Sequence, residues 1–305
     1  MNQKPSISYP MQFAILVGLW GMFIIVTALV VGFAASLSLH LPMQEALKAM
    51  NRPENASLAK LLNSVASVLT FICPALVFAR IVNPQPFSHL GFNKLLSAKQ
   101  FLMVLLLTFA SMVLGGALSE LNERIPLPGN LYAGARELEE KYKEATLAMA
   151  NMQSVPEYLL ALIVLAAIPA FCEEVMFRGA LQPVFTGWTK SKWAGIILTA
   201  VIFSAIHFSF FGFLARAALG IVLGLIFYNS RNIWLSIFLH FLNNAFVVTQ
   251  LYIGNRQGKP LEKTMDESMP IWWGAIALVI VIVFFRAFNR ETAKVLSTEA
   301  VTATV

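Results

Sequence analysis

The sequence predicts an all-α fold, a polytopic transmembrane helical bundle of about eight spans. Three observations predict it. Of 305 residues, 58% are hydrophobic and only 12% are charged, where an ordinary soluble domain carries about 25% charged residues. The apolar residues fall into runs near the ~20-residue length that a helix needs to cross hydrocarbon while satisfying its own backbone. Short polar stretches separate those runs. This composition excludes disorder, which requires low hydrophobicity and high charge. It also excludes a soluble enzyme, because too few charged residues exist to coat one. The net charge of +6 is small and scattered, so no nucleic-acid partner is expected. The expected partner is the lipid bilayer, and the expected location is an integral multi-pass position, the plasma (inner) membrane in a prokaryotic host.

The first run, Met11–Leu39, exceeds a signal-peptide apolar core of roughly 7–15 residues. It reads as a retained span despite the cleavage-like Ala34-Ala35-Ser36. Leu61–Val82 and Gln100–Leu118 follow. A break at Ile125-Pro126-Leu127-Pro128-Gly129-Asn130 opens a segment from Arg136 to Met152 that starts charged and becomes apolar. It reads as an interfacial helix feeding the next span, with a solvated connector as the other reading. Pro156–Val184, Trp193–Phe211, Phe213–Tyr228, Ile233–Ile253 and Met269–Phe288 complete the set, the fifth and sixth runs parted only by the Phe211-Gly212 step. The chain divides accordingly into N-terminal helices (1–155), a core (156–251) and a last span with its tail (252–305). A cytoplasmic N-terminus places Lys4, Arg80, Lys94, Lys99, Lys190, Lys192, Arg231, Arg286, Arg290 and Lys294 inside, against a similar number of basic residues outside, four of them in the long loop Ser119–Val155 where charge counts less, and puts both ends of the chain in the cytoplasm. Cys73 and Cys172 lie in apolar runs at no metal-site or disulfide spacing and read as small buried hydrophobes. Gly220 and Gly224 form a GxxxG, read as ordinary helix packing.

Ionisable groups inside membrane helices are costly and mark functional sites. Here they form three clusters. In Glu173-Glu174-Val175-Met176-Phe177-Arg178, Glu174 and Arg178 stand at i and i+4 and can pair. Glu173 points about 100° away and lacks a local cation, the setting of a general base. In Phe203-Ser204-Ala205-Ile206-His207, the histidine lies deep in the fifth span with Phe203 on its face. In His240-Phe241-Leu242-Asn243-Asn244, His240 and Asn244 stack one turn apart and suit a charge-stabilising pair. Each cluster alone also reads as packing: a structural ion pair, a satisfied histidine, an interhelical clamp. Depth links them. Glu173 lies 12 residues before Phe185, His207 lies 17 after Lys190, and His240 and Asn244 lie 9 and 13 after Arg231. At about 1.5 Å per residue these are heights of roughly 14–26 Å, close enough for one cavity.

Glu-Glu-x-x-x-Arg, Phe-x-x-x-His and His-x-x-x-Asn, in that order, resemble the motifs of the CAAX-protease and bacteriocin-processing family, also called Abi or CPBP. The resemblance covers about Pro156 to Leu251 and makes that segment the catalytic core. It implies an intramembrane endopeptidase of CAAX prenyl protease 2 type, acting on a membrane-associated peptide, a lipidated protein or a bacteriocin-like precursor. It implies that Glu173 and His207 activate water, that His240 and Asn244 stabilise the oxyanion, and that Glu174 and Arg178 orient the site.

Two rivals remain at this point. Two histidines and a glutamate are also zinc ligands, so a zinc-dependent form stands beside the cofactor-free one, although no HExxH occurs and asparagine is a poor ligand. The same ionisable groups also suit a proton-coupled transporter or a scaffold, for which no internal repeat is evident.

Overall fold

The computed structural model describes residues 7–93, 96–150, 152–259 and 269–302. Among them, seven helices are long and apolar enough to cross a membrane. These are α1 (Tyr9–Leu39), α2 (Ala56–Val82), α3 (Ala98–Glu123), α5 (Val155–Thr189), α7 (Phe213–Ser230), α8 (Ile233–Arg256) and α9 (Ile271–Ser297). Between them lie α4 (Gly129–Ala150) and the shorter apolar α6 (Lys192–Ala205). The protein is an integral, multi-pass membrane protein. Its outward side chains fit that setting: Ile25, Phe33 and Val279 are each 60% exposed or more, which water would penalise and lipid does not.

Local chemistry sets the helix starts. Ser97 and Gln100 close a capping box on α3, and Ser154 and Glu157 close one on α5. Ser191 and Asn232 cap α6 and α8 through their side-chain oxygens. Three prolines shape the interiors. Pro74, Pro169 and Pro183 each stand two positions after the end of a stretch of wider π-helical turns, at Val68–Ile72, Leu162–Ala167 and Val175–Leu181. Proline has no N–H and its ring collides with the carbonyl one turn back. Widening the preceding turn removes the collision without breaking the span.

Two apolar clusters fill the bundle. One joins α1, α2, α5 and α6 around Phe78, Phe177, Phe185 and Phe203. The other joins α3, α7, α8 and α9 around Leu107, Leu223, Leu239 and Phe288. Between the clusters runs a polar seam, where α5 faces α7 and α8. Gly220 and Gly224 make that seam possible: a Cβ on Gly220 would come within 2.9 Å of the Ala200 Cβ, and one on Gly224 within 2.8 Å of Gln182 Oε1. Their bare carbonyls accept hydrogen bonds from Arg178 Nη2 at 3.2 Å and Gln182 Nε2 at 3.0 Å.

The fifth run differs from expectation. Its helix stops at Ala205, well short of Phe211. The chain then turns through residues 206–212 before Gly212 caps α7. Phe208 adopts a left-handed conformation, φ 51°, which costs a non-glycine residue about 1–2 kcal/mol. Apolar content cannot report such a turn. His207 is therefore not inside a helix, as its sequence position implied, but in the turn just past one.

Candidate active site

The centre of the seam is built on α5. Glu173 and Glu174 close a regular α segment between its two π stretches, and Arg178 lies within the second of them. Arg178 and Glu174 are both fully buried, and Arg178 Nη1 donates to Glu174 Oε1 at 2.7 Å. The expected i, i+4 pair is thus formed. His240, on α8, reaches the same oxygen: its Nδ1 lies 2.9 Å from Glu174 Oε1. A carboxylate oxygen accepts, so His240 Nδ1 carries the proton. The opposite nitrogen, Nε2, lies 3.8 Å from Glu173 Oε2. One imidazole thus stands between two adjacent carboxylates, hydrogen-bonded to one and within ionic reach of the other.

Phe203 is the hub of the remaining contacts. Its ring lies 5.2 Å from the His207 ring and 5.7 Å from the His240 ring, both edge to face. The Arg178 guanidinium sits 4.6 Å over it, a cation–π contact. His207 Nδ1 lies 2.8 Å from the Phe203 carbonyl. A carbonyl only accepts, so Nδ1 holds the hydrogen and Nε2 of the neutral ring keeps its lone pair. The phase of Phe203 and His207 expected from the sequence holds even though the helix ends between them.

The His207 turn is held at several points. Ser204 Oγ donates to the Phe213 carbonyl at 2.7 Å, and the Leu214 amide donates to Asn122 Oδ1 at 2.9 Å. Ser209 Oγ donates to Glu139 Oε2 at 2.6 Å. Glu139 belongs to α4, so the helix between the third and fourth long spans clamps the turn that carries His207. α4 also brings Tyr142 to within 5.9 Å of Arg216 through its ring face. Burial holds the Tyr142 phenol above its usual range, with Arg216 pulling it down. Glu139, Ser209, Arg216 and Tyr142 carried no motif. A buried acid in an otherwise solvated loop helix, 8% exposed, is the signal that could have revealed the clamp.

The structure thus brings Glu173, Glu174, Arg178 and His240 into direct contact and joins His207 to them through Phe203. Asn244 lies one turn beyond His240 on α8 and is half-buried. Its Oδ1 accepts from Asn243 Nδ2 at 3.4 Å. Cys73 and Cys172 are free thiols. Among the described residues no group of three His, Cys, Asp or Glu side chains is arranged to hold a metal ion. Glu174 Oε1 is already taken by Arg178 and His240.

Comparison with known proteins bears on the same segment. Residues 155–246 match the family model described as Type II CAAX prenyl endopeptidase Rce1-like. Two curated proteins of Bacillus subtilis (strain 168) are similar. One, named "Putative membrane peptidase YdiL", is 31% identical over 97 residues, 32% of this chain and 38% of that protein. The other, "Uncharacterized protein YpbD", is 31% identical over 105 residues, 33% of this chain and 49% of that protein. The chain therefore spans under half of the length of the first relative and about half of the second. No solved structure matches.

Proposed function

We propose, from the match of residues 155–246 to the Rce1-like type II CAAX prenyl endopeptidase model, that the protein is an intramembrane endopeptidase with Glu173 as its general base. The substrate is a membrane-associated peptide or lipidated protein. One observation carries the reading: His240 bridges the two carboxylates, with Nδ1 on Glu174 at 2.9 Å and Nε2 toward Glu173 at 3.8 Å.

Glu173 takes a proton from a water that the His207 Nε2 lone pair orients. The hydroxide attacks the scissile carbonyl and leaves an alkoxide on its oxygen. His240, with Nδ1 fixed on Glu174, receives a proton at Nε2 from Glu173. The imidazolium then donates to the oxyanion, beside the Asn244 amide. Collapse of the intermediate breaks the C–N bond, and the proton on Nε2 passes to the leaving amine. Glu174 plays the part of a buried acid that holds an imidazole in one tautomer, and Arg178 holds Glu174 in place. The hydrolysis requires no cofactor in this scheme. Metal analysis and a chelator test on the purified protein check that point, and loss of cleavage restored by zinc would overturn it.

The test of the class is cleavage of quenched fluorescent membrane peptides by the full chain in liposomes. Wild type releases product. Glu173→Ala, which removes the general base, loses activity by about 10²–10⁴-fold. A wild type without product, or a Glu173→Ala variant that cleaves as well as wild type, would refute the proposal.

A further inference from the structure

Arg178 and Arg216 are both guanidinium groups in the interior of the bundle, and only one has an acidic partner. Arg178 is ion-paired to Glu174 at 2.7 Å. Arg216, in the first turns of α7, donates Nη2 to the Ser209 carbonyl and presents its plane to the Tyr142 ring at 5.9 Å. It forms no salt bridge among the described residues. Glu139 is near enough for its charge to be felt at Arg216, yet its Oε2 is occupied by Ser209. Arg216 Nε is buried and has no hydrogen-bond partner among the described residues. Gly212 leaves the space in which the guanidinium lies, since a Cβ there would collide with Nη1. An unmatched cation in a membrane span is costly and calls for an anion.

A cavity of about 410 Å³ opens beside this group between α3, α7 and α8, a volume within the usual range of ligand sites. Ser111 of α3 lines the same cavity. It is 8% exposed, and its Oγ also lacks a partner among the described residues. Asn243 of α8 lines it as well, next in the chain to Asn244 of the candidate site. Two residues that each carry an unpartnered donor, on two helices, thus line one cavity, and the amide of Asn243 donates to Asn244 of the candidate site. The rest of the wall is largely apolar, as at Phe109, Leu219 and Phe246.

We propose that this cavity is a substrate subsite for a carboxylate on an otherwise apolar peptide, anchored by Arg216 and completed by Ser111 and Asn243. The guanidinium fork matches the two oxygens of a carboxylate, and the apolar wall accepts the neighbouring side chains. The peptide nature of the occupant rests on the endopeptidase reading. The carboxylate comes from the chain end or from an acidic side chain.

The test is a binding titration of the full chain in detergent micelles, independent of cleavage. The probes are an N-acetylated four-residue aliphatic peptide as the free acid, the same peptide as its C-terminal amide, and the amide with one glutamate. Wild type binds the free acid about tenfold or more tighter than the amide, the value of one charge-assisted hydrogen bond. Tight binding of the glutamate-bearing amide assigns the subsite to a side chain, and weak binding assigns it to the chain end. Arg216→Gln abolishes the preference for the acid, and Glu173→Gln retains it. Where Arg216→Gln does not fold, Arg216→Lys and Ser111→Ala carry the test, each narrowing the preference several-fold. Equal binding of acid and amide by wild type, or no binding of either, overturns the subsite. Cleavage without the preference leaves the peptidase standing and removes the subsite; the preference without cleavage does the reverse.

Discussion

The two sides of the seam are built differently. On one side, Glu174, Arg178 and His240 are almost completely buried and locked to one another at hydrogen-bond distances. On the other, His207 sits half-buried in a turn, and Asn244 bonds only at 3.4 Å to its own neighbour. Glu173 lies at the border, with a side chain 14% exposed and an Oε2 that lacks a hydrogen bond. The closed side resembles a structural element and the open side resembles a place where something still has to bind. A closed ion-pair corner fixes geometry, whereas the partly exposed groups opposite it are reachable by water and substrate.

That contrast can be broken by substitution. The largest effect belongs to the closed side. Arg178→Ala or Glu174→Ala leaves one buried charge without its partner and costs about 3–5 kcal/mol. Thermal denaturation in detergent reads this as a large fall in Tm or a failure to accumulate folded protein. A Tm equal to wild type would show that the corner is not structural. Next is Asn244→Ala on the open side. It lowers cleavage by about 10²–10³-fold, the cost of one oxyanion donor, while the melting curve stays where it was. A destabilised Asn244→Ala protein would move Asn244 into the structural half.

Gly220→Ala sharpens the line between the halves. The added methyl lies 2.9 Å from the Ala200 Cβ and 3.0 Å from its Cα, so α6 must move away from α7. Overpacking of this kind costs about 1–3 kcal/mol and shifts the carbonyl that Arg178 uses. Denaturant or thermal midpoints measure it, and an unchanged midpoint would mean that α6 and α7 separate freely. The smallest effect is expected far from the seam. Lys141→Ala removes an exposed partner of Glu137 on α4, and surface pairs of this kind contribute little. Neither midpoint nor cleavage rate should change, and a change in rate would give the outer face of α4 a part in the reaction.

Much of this architecture was legible in the residues. Long apolar runs located the spans, because hydrocarbon enforces length and polarity on any helix that crosses it. The Glu174–Arg178 pair followed from helix phase alone. The turn at His207 was not legible, since its left-handed residue is Phe208 and no glycine announces it. The π stretches were equally hidden. Pro74, Pro169 and Pro183 marked them in sequence, but proline within a span is as compatible with a kink as with a widened turn. The α4 clamp was hidden because Glu139 looks like any solvated acid until Ser209 is brought against it.

What the chain determined by itself is periodic and local: apolar length, helix phase, caps and the costly ionisable groups inside the spans. What only the tertiary structure decided is which of those groups meet. His240 lies 66 positions from Glu174 and Gly220 lies 42 from Arg178, and no local rule relates them. Their encounter depends on two glycines that let α5, α6 and α7 approach, and on the packing of two apolar clusters that leaves a polar seam between them. Contacts over such separations are set by how whole helices fit, not by the residues beside them in the chain.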